Sequence, residues 1–172
     1  QREVVNALKA VGDAEPNLII AVGGGSSLDL AKALSAFRYM FEGGKATIED
    51  ITKAITSKSY TAEHRMMDII AVPSTSGTGS EVTVAAVISD PESHTKMVIV
   101  DTRLVPKMAA LDPCLMTGLP PHITAATGID ALTHAIEAFV GHWASPSTDD
   151  MALSAVGLIF VNLLVAYHDC PF

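Results

Sequence analysis

Leu18-Ile19-Ile20-Ala21-Val22-Gly23-Gly24-Gly25-Ser26-Ser27-Leu28-Asp29-Leu30-Ala31-Lys32-Ala33-Leu34 is the stretch that decides the fold. An unbroken apolar run entered from Pro16 and Asn17 has the length and composition of a strand buried on both faces, as in a parallel sheet. Three glycines then lead into a segment of helical composition and spacing. Strand, glycine turn and helix in that order form the building unit of an open α/β sheet. Such a turn leaves backbone N–H groups unpaired at the helix start, where the helix dipole favours negative charge, so it suits a pyrophosphate. Glycine lets a ligand approach the backbone, and Ser26 or Ser27 can cap the helix or donate a hydroxyl. The same turn serves equally well as a tight bend that packs the helix on the sheet, and it lacks the Gly-x-Gly-x-x-Gly spacing.

Outward from this unit, Arg2 to Ala10 carries Val4, Val5 and Leu8 at helical spacing, and Gly12, Asp13 and Pro16 end that pattern. Residues 42 to 65 are more polar and predict a loop and a short surface helix. Met67 to Val72 reads as a second buried strand. It runs into Pro73-Ser74-Thr75-Ser76-Gly77-Thr78-Gly79-Ser80-Glu81, a loop rich in hydroxyls and glycine. Ligands of open parallel sheets lie beyond the carboxyl ends of the strands, so this loop stands where a second ligand contact belongs; a solvated polar loop is the plainer alternative. Thr83 to Ile88 and Lys96 to Val100 predict two further strands joined by the turn Asp90-Pro91-Glu92-Ser93. Ala109 to Leu111 predicts one more short strand. From Leu119 onward strand signals stop, and Thr124 to Val140 and Thr148 to Tyr167 read as helices. The expected organisation is an α/β domain over 1–118 followed by the start of an all-helical domain over 119–172.

The composition narrows the function classes. Of the 172 residues, 49% are hydrophobic and 17% charged, which excludes a disordered chain and allows a sizeable core. A formal charge of -8 without a Lys/Arg cluster disfavours a nucleic-acid partner. Cys114 and Cys170 are far apart and form no Cys-x-x-Cys pair, so a reducing compartment, the cytoplasm, is expected. The apolar stretch Met151 to Tyr167 falls short of the roughly 20 residues of a membrane span. A buried helix of a helical domain is expected there, with no membrane partner.

Gly128-Ile129-Asp130-Ala131-Leu132-Thr133-His134-Ala135-Ile136-Glu137 has the most chemical content. Asp130 and His134 are four apart, so a helix presents both on one face, from adjacent turns. A carboxylate with an imidazole suits a divalent first-row metal such as Fe²⁺ or Zn²⁺. An i, i+4 hydrogen bond on a solvated face is the alternative. The apolar neighbours Ile129, Ala131, Leu132 and Ile136 predict that little of this helix is exposed. The remaining histidines share no such spacing.

Residues 23–32, 73–83 and 125–139 together, three long motifs in order, closely resemble the iron-containing (group III) alcohol dehydrogenase family. The resemblance implies a Rossmann-like dinucleotide-binding domain and a helical metal-binding domain. It further implies that Gly24, Gly25 and Ser26 hold the pyrophosphate of NAD or NADP and that Ser74, Thr75, Thr78, Thr83, Lys96 and Leu115 line the rest of the cofactor. Asp29 is then expected near the nicotinamide end. Asp130 and His134 would be two ligands of Fe²⁺ or Zn²⁺, with two further histidines beyond Phe172 and another strand–helix–strand unit before Gln1. A small alcohol or aldehyde is the implied substrate, hydride transfer the implied reaction and a homo-oligomer the implied assembly. Two other readings stand beside it: a catalytically incomplete dinucleotide-binding fragment, and a metal- and NAD-dependent lyase of related fold acting on phosphorylated sugar acids. The lyase needs several basic residues for its phosphate, and few accompany these motifs.

Overall fold

The computed structural model describes residues 1–90 and 95–168, which form two compact units. Residues Gln1–Pro73 and Ser80–Leu111 make the first; Ser74–Gly79 and the chain from Asp112 onward make the second.

In the first unit, α1 (Arg2–Val11) leads to β1 (Leu18–Gly23), α2 (Gly25–Phe37) and α3 (Ile48–Ser57). β2 (Asp68–Pro73), β3 (Ala85–Ser89), β4 (Lys96–Val100) and the short β5 (Met108–Ala109) follow. β1, β2 and β5 form a parallel sheet in that order, with Leu18 opposite Asp68 and Ile70 opposite Met108. The expected α/β class with a parallel sheet is present. β3 and β4 pair antiparallel as a separate hairpin, Val87 opposite Val98; of the turn expected between them, residues 91–94 lie outside the described residues.

Two apolar clusters hold this unit. Ala21, Ile69 and Ala71 of the sheet pack with Leu28 and Ala31 of α2. The opposite face of α2, with Ala33, Ala36 and Phe37, meets Leu8 of α1, Ile51 and Ile55 of α3, Ala86 and Ile88 of β3 and Ile99 of β4. α2 is therefore apolar nearly all round because it is sandwiched. Tyr60 closes the cluster, edge-on to Phe37 at 6.1 Å between ring centroids.

Two expectations need correction here. β1 is covered on one face only: Ile20 and Val22 are 63% and 60% exposed, because α2 packs on one side of the sheet and, among the described residues, no element of this unit covers the other. The polar stretch 42–65 supplies more than a surface helix, since α3 buries Ile51, Ala54 and Ile55 in the main core. Thr47 and Asp50 start α3 with a reciprocal capping box, a Thr-x-x-Asp signal present in the sequence.

In the second unit, α4 (Pro121–Val140) and α5 (Pro146–His168) pack against one another. Pro121 at the first turn and Gly141 after the last bound α4. Ser145 and Thr148 exchange hydrogen bonds at the start of α5, which fixes that start ahead of the apolar run and makes α5 a helix of 23 residues. By length and composition α5 is thus long enough to cross a membrane, contrary to the count from Met151 to Tyr167. The expected burial of both helices is not found in this unit. A single partner helix covers one stripe, so Ile129, Ile136 and Phe139 on α4 and Leu158, Phe160, Val161 and Leu164 on α5 are exposed.

Candidate functional site

The glycine turn does its work with three different glycines. Gly23 ends β1 at φ +147°, and a Cβ there would come within 2.5 Å of Ser27 Oγ, so the position demands glycine. Gly24, in extended conformation, is the N-cap of α2, and its carbonyl accepts from the N–H groups of Ser27 and Leu28. Gly25 and Ser26 occupy the first helical turn. Neither serine is the N-cap, so of the two roles open to Ser26 and Ser27 capping is not the one used, and no side chain of the described residues caps the helix start. The first turn also carries no acidic residue. Among the described residues no side-chain cap and no first-turn carboxylate offsets its dipole, an arrangement suited to an anion.

Asp29 lies one turn further along α2 and is tied both to β3 and to the segment entering it. Its Oδ1 accepts from Ser80 Oγ at 2.6 Å and its Oδ2 from the Val87 N–H at 2.9 Å. Lys32, one turn on again, is completely buried, and its Nζ donates to Thr83 O, Thr83 Oγ1 and Ala85 O, each at 2.9 Å. Burial pushes the Lys32 ammonium below its ordinary pKa, against the opposing charges of Asp29 and Glu81. Thr83 is half-buried and Lys96 stands exposed at the start of β4, across from Ser89. Sequence reading passed over Lys32. The available signal was the Asp29-x-x-Lys32 spacing, which puts both charges on one face of a helix otherwise lined by Leu28, Ala31 and Ala33.

Ser74, Thr75, Thr78 and Leu115 belong to the second unit, so the candidate cofactor residues are divided between the two. Ser74, Thr75 and Thr78 are half-buried in the hydroxyl-rich loop, and Leu115 is 42% exposed on the turn Pro113–Met116. Ser76 Oγ meets Met116 Sδ at 3.0 Å, which links this loop to that turn.

Asp130 and His134 share one face of α4 with 3.9 Å between Oδ1 and Nε2, their side chains 44% and 52% exposed. That separation is too long for a hydrogen bond. Two ligand atoms each about 2.1 Å from one tetrahedral ion lie about 3.4 Å apart, so a shared metal requires this pair to close by about half an ångström. Among the described residues no group of three His, Cys, Asp or Glu side chains comes together. A groove of about 780 Å³ lies in the same unit; Ser76, Met116, Thr127, Gly128, Leu158 and Leu163 line it, and neither Asp130 nor His134 does. Its lining is mostly apolar.

Residues 1–113 match the family described as iron-containing alcohol dehydrogenase, and residues 124–170 match the C-terminal part of the Fe-containing alcohol dehydrogenase family. The chain is 42% identical over 169 residues to a 1-propanol dehydrogenase of Citrobacter freundii, covering 97% of this chain and 40% of that protein. It is 41% identical over 154 residues to an NADPH-dependent butanol dehydrogenase of Clostridium saccharobutylicum, covering 90% of this chain and 38% of the relative. Among solved structures, sulfoacetaldehyde reductase of Bifidobacterium kashiwanohense in complex with NAD⁺ superposes with a TM-score of 0.81 at 32% identity, over 96% of this chain and 42% of that one. The chain thus spans about 40% of the length of these relatives. A glycine turn opening α2, an Asp130–His134 pair on α4 and matches along both parts of the chain lead to one conclusion: this chain belongs to the iron-containing alcohol dehydrogenase family.

Proposed function

We propose that these residues form part of a nicotinamide-dependent dehydrogenase that interconverts a small alcohol and its aldehyde or ketone, with iron as its metal. The observation that carries this reading is the uncapped, acid-free glycine turn at the start of α2, in a chain matched to the family in both its parts. Gly24, Gly25 and Ser26 bind the pyrophosphate of NAD or NADP through first-turn amides and a hydroxyl. Ser74, Thr75, Thr78, Thr83, Lys96 and Leu115 line the remainder of the dinucleotide. Asp29, whose two oxygens hold Ser80 and Val87, keeps the wall beside it in place.

Asp130 and His134 supply one carboxylate oxygen and one imidazole nitrogen to the metal. A bound divalent ion contributes Lewis acidity at the carbonyl oxygen, and the nicotinamide contributes hydride exchange at C4. Domain limits near residue 118, a cytoplasmic location and a homo-oligomeric assembly are parts of the same proposal. The test is an assay of the full-length protein, reconstituted with Fe²⁺, against short aldehydes with NADH and NADPH and against the matching alcohols with NAD⁺ and NADP⁺. Turnover with one of the cofactors is expected. A folded, iron-loaded protein that neither binds nor turns over any dinucleotide overturns the reading.

A further inference from the structure

The face of α2 that begins one turn beyond the glycine turn grips a single stretch of chain. Asp29 takes the Ser80 hydroxyl and the Val87 amide; Lys32 takes the Thr83 carbonyl, the Thr83 hydroxyl and the Ala85 carbonyl. The Lys32 contacts are chemically unusual for a buried ammonium, because all three go to neutral oxygens. Removing a lysine head from water is costly, and an interior tie between a helix and a strand is ordinarily made by apolar packing. What a buried ammonium does that a methyl group cannot is orient a hydroxyl. A hydroxyl has one proton to donate and two lone pairs. Thr83 Oγ1 spends a lone pair on Lys32 at 2.9 Å, so its proton points away from the ammonium. Among the described residues that proton is accepted by Ala85 O at 3.4 Å, a long contact, and that carbonyl already accepts from Lys32. Thr83 is half-buried, so a ligand acceptor that reaches its hydroxyl can take the proton in exchange for that long contact.

We propose that Lys32 is a positioning residue for the dinucleotide: its ammonium sets the Thr83 hydroxyl as a donor aimed at a hydrogen-bond acceptor of the bound cofactor. This rests on the reading of Thr83 as a cofactor-lining residue. Because Lys32 and the phosphate-binding turn belong to the same helix, the hydroxyl is held in register with the pyrophosphate site through one rigid element.

The test uses the full-length protein with Lys32→Met, Thr83→Val, the double variant and Thr83→Ser, with NAD⁺, NADH, NADP⁺ and NADPH as probes. Lys32→Met and Thr83→Val should each raise the dinucleotide Kd and KM about fivefold or more at nearly unchanged kcat, the scale of one hydrogen bond. The double variant should bind no more weakly than the weaker single variant, since both changes remove the same oriented donor. A purely structural Lys32 would instead lower the folded, active fraction and leave KM where it was. Thr83→Ser tests the idea without disturbing Lys32. A β-branched threonine is stiff about χ1 and a serine is not, so serine retains wild-type affinity within about twofold only where the ammonium does the orienting. Multiplying effects in the double variant, unchanged KM in Lys32→Met, or a Thr83→Ser loss equal to that of Thr83→Val overturns the proposal. Weakening in Thr83→Val with none in Lys32→Met rejects the positioning role alone. Unchanged affinity in Thr83→Val rejects the assignment of Thr83 to the cofactor as well.

Discussion

Gly77 lies against the Thr127 carbonyl of α4 so closely that a Cβ at position 77 would overlap that backbone oxygen. This close approach seats the hydroxyl-rich loop directly on the helix that carries Asp130 and His134, and both sides of it belong to the second unit. Gly128, one residue along α4, is also crowded, but there a Cβ would meet the methyl ends of the Leu163 side chain on α5.

Backbone cannot yield as a side-chain tip can, so the two glycines should respond differently to one added methyl. Gly77→Ala should destabilise the protein by about 1–3 kcal/mol, the usual cost of overpacking, and Gly128→Ala by less. Urea unfolding of both variants gives the comparison. Equal stability of Gly77→Ala and the parent would show that the loop is not seated on α4 in this way.

Bulk in the phosphate turn should act on binding instead. Gly25→Val places a branched side chain where the first-turn amides face a ligand, and it should weaken dinucleotide binding about tenfold or more, or about 1.4 kcal/mol. Circular dichroism would confirm that the variant is folded, and titration calorimetry would read the affinity. An unchanged Kd would remove the turn from the site.

The Asp130–His134 pair separates stability from metal binding. Both side chains are about half exposed, so in the metal-free protein His134→Ala and Asp130→Asn should shift stability by less than about 0.5 kcal/mol. In the full-length, iron-loaded protein the same changes should abolish iron retention and alcohol oxidation together. Stoichiometric iron and full turnover in His134→Ala would refute the assignment.

Residues 1–172 expressed alone should retain iron only loosely and show no turnover, since the described residues assemble no third His, Cys, Asp or Glu with Asp130 and His134. The exposed apolar faces of α4 and α5 should also make these 172 residues bind a hydrophobic dye. Robust oxidation of short alcohols by them would contradict this account of the metal.

Arg103 offers a prediction in pH. It donates to both oxygens of Asp101, at 2.9 and 2.7 Å, and to the carbonyls of Tyr60, Ala62 and His64, pinning the turn after α3. These hydrogen bonds hold the Asp101 carboxyl below its ordinary pKa of 3.8. A depressed carboxylate stabilises the fold fully above the unfolded pKa and ceases to do so as pH falls through the lower folded value. Arg103→Ala should therefore cost about 1 kcal/mol near neutrality, discounted because the guanidinium is partly exposed, and less below about pH 4. A cost independent of pH would exclude the ion pair as its source.

The α/β class, the order of elements and the two chemical motifs were legible in the sequence because each is local. A run such as Leu18 to Val22 followed by glycines has few conformations open to it, and an i, i+4 Asp–His pair shares a face in any helix. The start of α3 was equally local, in the Thr47–Asp50 capping box, although the surrounding polarity obscured it. Burial was a different matter. Whether β1 is covered on both faces, or α5 on more than one stripe, depends on which elements pack beside it, and no periodicity within a segment records its neighbours. The same reason hid Lys32: its chemistry comes from Thr83 and Ala85, more than fifty residues away, and only the packing of α2 against the entry to β3 brings them together.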